Sequence, residues 1–265
     1  MKKLLSCLIS VILMCLFMNS LAFAEKTLVV AVSANWPPME MKDSRGNITG
    51  YEVDLLEAIA EEAGFKVKMV NVSWRNIFND LNAGRYDAVM ASVSITDARR
   101  EKFDFSEPYF TAEQILLLPK AKAEMRLAGK TIAVFKLTTG AETIRANQRC
   151  NITYYTVEET DLAFRDLSKG FIDGVLCDSP VAYTYAAKYS GSLVLKGNAC
   201  APAKKPANEE YGIAVRKGDS QTLDLVNRGL KAVRSKGMEA KIRDKWFKQI
   251  VLAYGAKQQA SITID

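Results

Sequence analysis

Arg99, Asp178, a set of hydroxyls and two tryptophans are the residues of this chain whose types and spacing could do chemistry. Arg99 lies in DAVMASVSITDARREKFDFSEP, residues 87–108. A short apolar strand over residues 87–91 gives way there to Ser92 and Ser94, and Thr96-Asp97 then supply a helix N-cap. A guanidinium fork can grip a carboxylate with two parallel bonds, and hydroxyls and free N–H groups add to the grip. Thr138-Thr139-Gly140 open a second helix and offer another anion seat. Asp178, in CDSP at 177–180, is a lone carboxylate at the end of a strand. Trp36 sits on a loop stiffened by Pro37-Pro38, and Trp74 stands at a helix start. Each also has a plainer reading: a surface arginine, helix caps, and core tryptophans.

The elements that must position these residues follow a regular grammar. Residues 27–32 (TLVVAV) read as a continuous apolar strand. Residues 52–64 carry Val53, Leu55-Leu56, Ile59-Ala60 and Ala63 at helical spacing, closed by Gly64. A strand over 65–72, a helix over 74–81 and the strand over 87–91 follow. Strand, helix, strand, helix, strand predicts a parallel sheet with right-handed crossovers. Each strand then delivers its loop to one rim, so Trp36, Trp74 and the loop from Ser92 to Arg99 should converge, where open α/β sheets bind ligands.

After Pro108 a strand over 114–119 leaves this first unit, and a second α/β series begins. Its strands are expected at 131–135, 152–157, 172–176 and 193–196, with helices at 141–147, 158–169 and 181–189. A strand over 210–215 returns to the first unit. Helices over 221–235 and 238–249 close the chain, with Trp246-Phe247 packing on that unit and a loose tail from 257. The expected division is lobe 1 over 25–116, lobe 2 over 117–213, lobe 1 again over 214–255, and a flexible tail over 256–265.

Lys2-Lys3, an apolar run and Ala22-Phe23-Ala24 have the order of a secretory leader cleaved after Ala24. No later stretch is apolar for long enough to cross a bilayer. Losing Lys2 and Lys3 takes the formal charge from +6 to +4, with basic residues scattered, which gives nucleic-acid binding little support. Cys150, Cys177 and Cys200 remain. Cys177 reads as a buried free thiol, with Cys150 and Cys200 as the default pair if a disulfide forms. The chain has no histidine, which removes the commonest general base and zinc ligand, and no cysteine spacing suggests a metal site. No cofactor is called for.

Five stretches carry a family resemblance: WPPME at 36–40, GYEVDLLEAIAEEAG at 50–64, DAVMASVSITDARREKFDFSEPYF at 87–110, GFIDGVLCDSP at 170–180 and IRDKWF at 242–247. On these the chain resembles the bacterial family 3 extracellular solute-binding proteins, receptors of ABC importers for polar amino acids. The resemblance implies an α/β, two-lobed periplasmic binding protein fold: two parallel-rich sheets with flanking helices, joined by a two-strand hinge. It also implies a monomer that closes on one ligand in the periplasm and delivers it to an ABC transporter permease, with no catalytic residue.

Carried over, Arg99 binds the ligand α-carboxylate with Ser94, Thr139 and the Gly140 amide. Asp178 and the Ser92 carbonyl take the α-ammonium, Trp36 and Trp74 wall the side chain, and Lys136 matches a position that touches its tip in some members. A zwitterion supplies a partner for each buried charge. The loop after the first strand, Ser33-Ala34-Asn35, lacks the acid seen in members specific for cationic amino acids. With Lys136 near, the expected ligand is a polar or acidic amino acid, although Glu40 or Glu142 could turn inward. The same fold also resembles a periplasmic cyclohexadienyl dehydratase acting on prephenate or arogenate, for which Asp178 would be the acid candidate.

Overall fold

The computed structural model describes residues 26–145, 150–189, 191–196 and 208–262. The secretory leader expected over residues 1–24 and Cys200 lie outside these residues.

Lobe 1 begins with β1 (Thr27–Val32) and a small hairpin, β2 (Met41–Lys42) and β3 (Ile48–Thr49). Helix α1 (Tyr51–Ala63) ends on Gly64, whose φ of 73° is the left-handed cap that glycine adopts without strain. Then come β4 (Lys66–Asn71), α2 (Ile77–Asn82), β5 (Ala88–Val89), the single-turn α3 (Asp97–Arg100) and β6 (Phe103–Phe105). The connecting strand β7 (Phe110–Pro119) enters lobe 2. There β8 (Thr131–Phe135), α4 (Thr139–Arg145), β9 (Asn151–Tyr155), α5 (Thr160–Lys169), β10 (Gly174–Asp178), α6 (Ser179–Lys188) and β11 (Leu193–Leu195) alternate. The chain returns along β12 (Asn208–Tyr211) to β13 (Ala214–Arg216), and α7 (Ser220–Ser235) and α8 (Met238–Ile262) follow.

Each lobe has its own sheet, of five strands in lobe 1 and six in lobe 2, where β12 joins through β7. Lobe 1 is ordered β4-β1-β5-β13-β6 and lobe 2 is ordered β11-β7-β10-β8-β9. The strands β4, β1 and β5 run parallel, as do β10, β8 and β9, and the remaining pairings are antiparallel. Buried side chains on both sides of these central strands explain their near-continuous apolar sequences. In β8, for example, residues 132–135 are all buried.

The hinge is the antiparallel pair of β12 with the start of β7, in register from Asn208↔Glu113 to Tyr211↔Phe110. Beyond Glu113 the strand β7 changes partner, and Gln114 already pairs with Asp178 in the lobe 2 sheet. The crossover thus falls three residues before the expected boundary at 116. The strand expected over 210–215 is broken in two. Gly212 donates its N–H to Val93 O at 3.1 Å and the Ile213 N–H bonds Ser106 Oγ at 2.9 Å, which separates the hinge strand from the lobe 1 strand.

The final helix continues to Ile262, past the expected end at 249 and into the stretch expected as a loose tail. Residues 250–260 (IVLAYGAKQQA) are mostly good helix formers with a single glycine and no proline, so nothing stops the helix earlier. Phe247 packs edge-on against Tyr51 at 5.5 Å, and Trp246 Nε1 donates to Asp54 Oδ2 at 2.6 Å, both on α1.

Candidate functional site

The cleft lies between the lobes, at the C-terminal ends of the parallel strands. Seven of the nine expected residues line it: Trp36, Trp74, Ser92, Ser94, Arg99, Thr139 and Asp178. Ser33, Glu40, Thr138 and Val157 join them. The enclosed space is about 20 Å3, room for about one water. An amino acid therefore enters only if the lobes part.

On the lobe 1 side, Thr96 caps α3 by accepting from the Arg99 N–H at 3.2 Å. Arg99 Nη1 donates to Ser94 O at 2.7 Å, and its guanidinium lies 5.7 Å from the Trp74 ring centroid and 5.2 Å from that of Phe78. These faces hold the fork in place by cation–π contact. Burial lowers the pKa of Arg99, and the nearby Glu142, Glu209 and Asp178 carboxylates counter this, so it stays a cation.

Ser92 takes φ 49°, an unusual left-handed conformation for a serine. The buried Glu52 carboxylate holds it there. Oε1 accepts from the Ser92 N–H at 2.9 Å and from Ser92 Oγ at 3.0 Å, and Tyr109 OH donates to the same oxygen at 2.6 Å. Glu40, 1 % exposed, lies beside this network, and burial followed by repulsion from Glu52 raises its pKa well above the ordinary carboxylate range. Glu40 is held there by a close approach: a Cβ on Gly50, whose φ is 144°, would come within 2.1 Å of Met39 O. Ser33, 1 % exposed, faces the cleft with no hydrogen-bond partner for its hydroxyl among the described residues. A polar ligand group would satisfy it.

On the lobe 2 side, Asp178 ends β10 and is 6 % exposed. Its carboxylate accepts from Gln114 Nε2, from Tyr211 OH and from the Trp36 side chain. Burial and then the Glu209 charge outweigh those bonds and push its pKa up to about 7. Thr138 Oγ1 donates to Phe135 O at 2.8 Å, while Thr139 turns towards lobe 1. Between the lobes stands Glu209 of β12: its Oε2 accepts from Ser94 Oγ and from Thr139 Oγ1, each at 2.6 Å. Direct contacts also bridge the lobes. The Trp36 ring meets Phe135 edge-on at 5.0 Å, Trp74 Nε1 donates to Leu137 O at 3.2 Å, and Glu158 Oε1 accepts from Ser73 Oγ at 2.7 Å.

Two expected residues are not among those lining the cleft. Gly140, next to Thr139, is buried, and a Cβ there would meet Gln114 Oε1 at 2.7 Å. Its lack of a side chain thus makes room for Gln114. Lys136 is exposed and lines an outer pocket of about 450 Å3 with Arg75, Leu137 and Arg145. The residue before it, Phe135, faces inward, and the Lys136 N–H stays in the β8–β9 ladder by donating to Tyr155 O at 2.8 Å. Lys136 follows the last residue of β8, and its side chain is exposed there.

Residues 28–249 match the family model of the bacterial extracellular solute-binding proteins, family 3. The chain belongs to that family. A probable histidine-binding protein of Neisseria gonorrhoeae is 35% identical over 223 residues, 82% of each chain. An ancestral arginine-binding protein bound to arginine superposes with a TM-score of 0.75 at 31% identity, covering 84% of this chain and 99% of that one. AncCDT-1, an ancestral amino acid-binding protein and precursor of cyclohexadienyl dehydratase, gives 0.73 at 33% identity over 83% and 95%. The two-lobed fold with its two-strand hinge is that of these binding proteins.

Sequence reasoning did not place Ser33, Glu52, Gln114, Glu209 or Tyr211 at the site. Glu209 and Tyr211 are two apart on β12 and both face Asp178, a period-2 signal that the run NEEY at 208–211 contains. The hinge register needed to read it comes only from the pairing with β7.

Proposed function

We propose that this protein captures an amino acid between its lobes and delivers it to the permease of an ABC importer, after export through a cleaved leader. The observation that carries this reading is Arg99 on lobe 1 and Asp178 on lobe 2 facing one tryptophan-walled cleft. A zwitterion bridges that pair: its carboxylate goes to Arg99 and Ser94, and its ammonium to Asp178 and the Ser92 carbonyl. Contacts to both lobes at once favour the closed state, which is the energetic basis of hinge capture.

The ligand's side chain is better read as cationic than as acidic. Lys136 is not among the residues lining the cleft, whereas Glu40 lines it and Arg99 is its one cation among the described lining residues. The histidine- and arginine-binding relatives support the same direction. A thermal-shift screen of the twenty L-amino acids tests the reading. A gain of several degrees with arginine or histidine supports it, and a gain confined to glutamate or aspartate overturns the cationic assignment.

One observation favours a second reading. An Asp178 with a pKa of about 7 could act as a general acid at neutral pH, and a structural neighbour is a dehydratase precursor. Formation of phenylpyruvate from prephenate, followed by absorbance, would establish that reading.

A further inference from the structure

Glu209 is the feature of the cleft that the capture scheme leaves unused. It lies on the hinge strand β12, which pairs with β7 off the main order of the lobe 2 sheet, and its carboxylate reaches the space between the lobes. Oε2 receives the hydroxyls of Ser94 from lobe 1 and of Thr139 from lobe 2, both at 2.6 Å, and Oε1 receives Gln114 Nε2 at 3.3 Å. Ser94 and Thr139 also meet each other, at 3.4 Å. These two hydroxyls, with the Arg99 field, are the donors a ligand carboxylate would use. Short bonds of this kind to a charged acceptor are the strong class of hydrogen bond. Two anions cannot share them.

We propose that Glu209 is a built-in competitor for the carboxylate seat: it stands in for the ligand's carboxylate, and an amino acid binds by displacing it. This rests on the receptor reading above and adds a specificity element to it. The side chain that must leave the seat is tethered to the hinge, so its withdrawal is coupled to the movement that opens the lobes. Tethering also gives Glu209 a high effective concentration, so only ligands that fill the rest of the cleft well outcompete it. A carboxylate that binds weakly elsewhere, such as acetate, is refused.

The test is calorimetry on the wild type, Glu209→Gln and Glu209→Ala, each titrated with L-arginine, L-histidine and the other L-amino acids, and with agmatine and histamine, which lack the carboxylate. The expected result is affinity for the amino acid raised roughly tenfold or more in both variants, the gain from removing one charge-assisted competitor. At pH 8, where Asp178 is already ionised, agmatine or histamine, having no carboxylate to seat, should not gain. Equal or weaker amino-acid binding in the variants, with wild-type binding intact, overturns the competitor role and leaves the receptor reading standing. Equal gains for the amino acid and its carboxylate-free analogue also overturn it, since the effect would then not be at the seat. Absence of amino-acid binding in all three proteins would sink the receptor reading and this inference with it.

Discussion

Asp178 should make ligand capture depend on pH over a range in which the ligand's own α-groups keep their charges. The ligand-free pKa is about 7, because burial and then the Glu209 charge outweigh the hydrogen bonds from Tyr211, Gln114 and Trp36. An ammonium needs the ionised carboxylate, so as pH falls through 7 a growing share of binding events must expel a proton. Taking only the ionised form as competent, the apparent dissociation constant rises by a factor of about 1 + 10^(7 − pH). Between pH 8 and pH 5 the affinity should fall roughly 100-fold, about 2.7 kcal/mol. About half a proton should be released per ligand at pH 7, and nearly one at pH 5.

Calorimetry with arginine in buffers of different ionisation enthalpy reads both quantities, and Asp178→Asn should flatten the profile while weakening binding. Affinity constant within twofold from pH 5 to pH 8, with no proton release, would refute the assignment of Asp178 as the ammonium partner. The same shift affects stability, with a sign opposite to that of an ordinary paired carboxylate. The folded chain keeps the Asp178 proton up to about pH 7, while the unfolded chain loses it near the ordinary aspartate value of 3.8. The folded state holds more protons in that window, so this group's contribution to stability falls as pH rises from 4 to 7.

Other expectations are simpler. Lys136→Ala should change ligand affinity by less than about twofold, because the side chain lies in the outer pocket; a larger loss in the same titration would put it back in the cleft. Phe164, fully buried and stacked 3.8 Å from Tyr185, anchors the lobe 2 core. Phe164→Ala should cost about 3–5 kcal/mol in denaturant unfolding, and a loss under about 1 kcal/mol would contradict that packing.

Much of the site was legible because strand alternation and crossover rules fix which loops share a rim. Arg99 follows β5, Asp178 ends β10 and Trp36 follows β1, and all three reach the same cleft. The tryptophans needed no choice between core and site: Trp36 is 5 % exposed, yet it both lines the cleft and packs on Phe135. Lys136 drew its role from resemblance alone, and it is exposed and absent from the cleft lining. Glu209 could not be read in advance. Of the adjacent pair Glu209-Glu210 only one can point inward, and the choice depends on a long-range register, Glu209↔Ala112. Glu52 was hidden for a similar reason. It reads as a first-turn acid of α1, and only the fold brings it to Ser92, forty positions away.

The most direct test of the central claim is calorimetry on the wild type and Arg99→Ala, unfolded and refolded to remove carried-over ligand, against the twenty L-amino acids. One-to-one binding of an amino acid by the wild type is expected, with a loss of about 100-fold or more in the variant, whose bound carboxylate would lack its charged partner. Unchanged affinity in Arg99→Ala would contradict the assigned carboxylate seat, and silence of the wild type across all twenty would contradict the account itself.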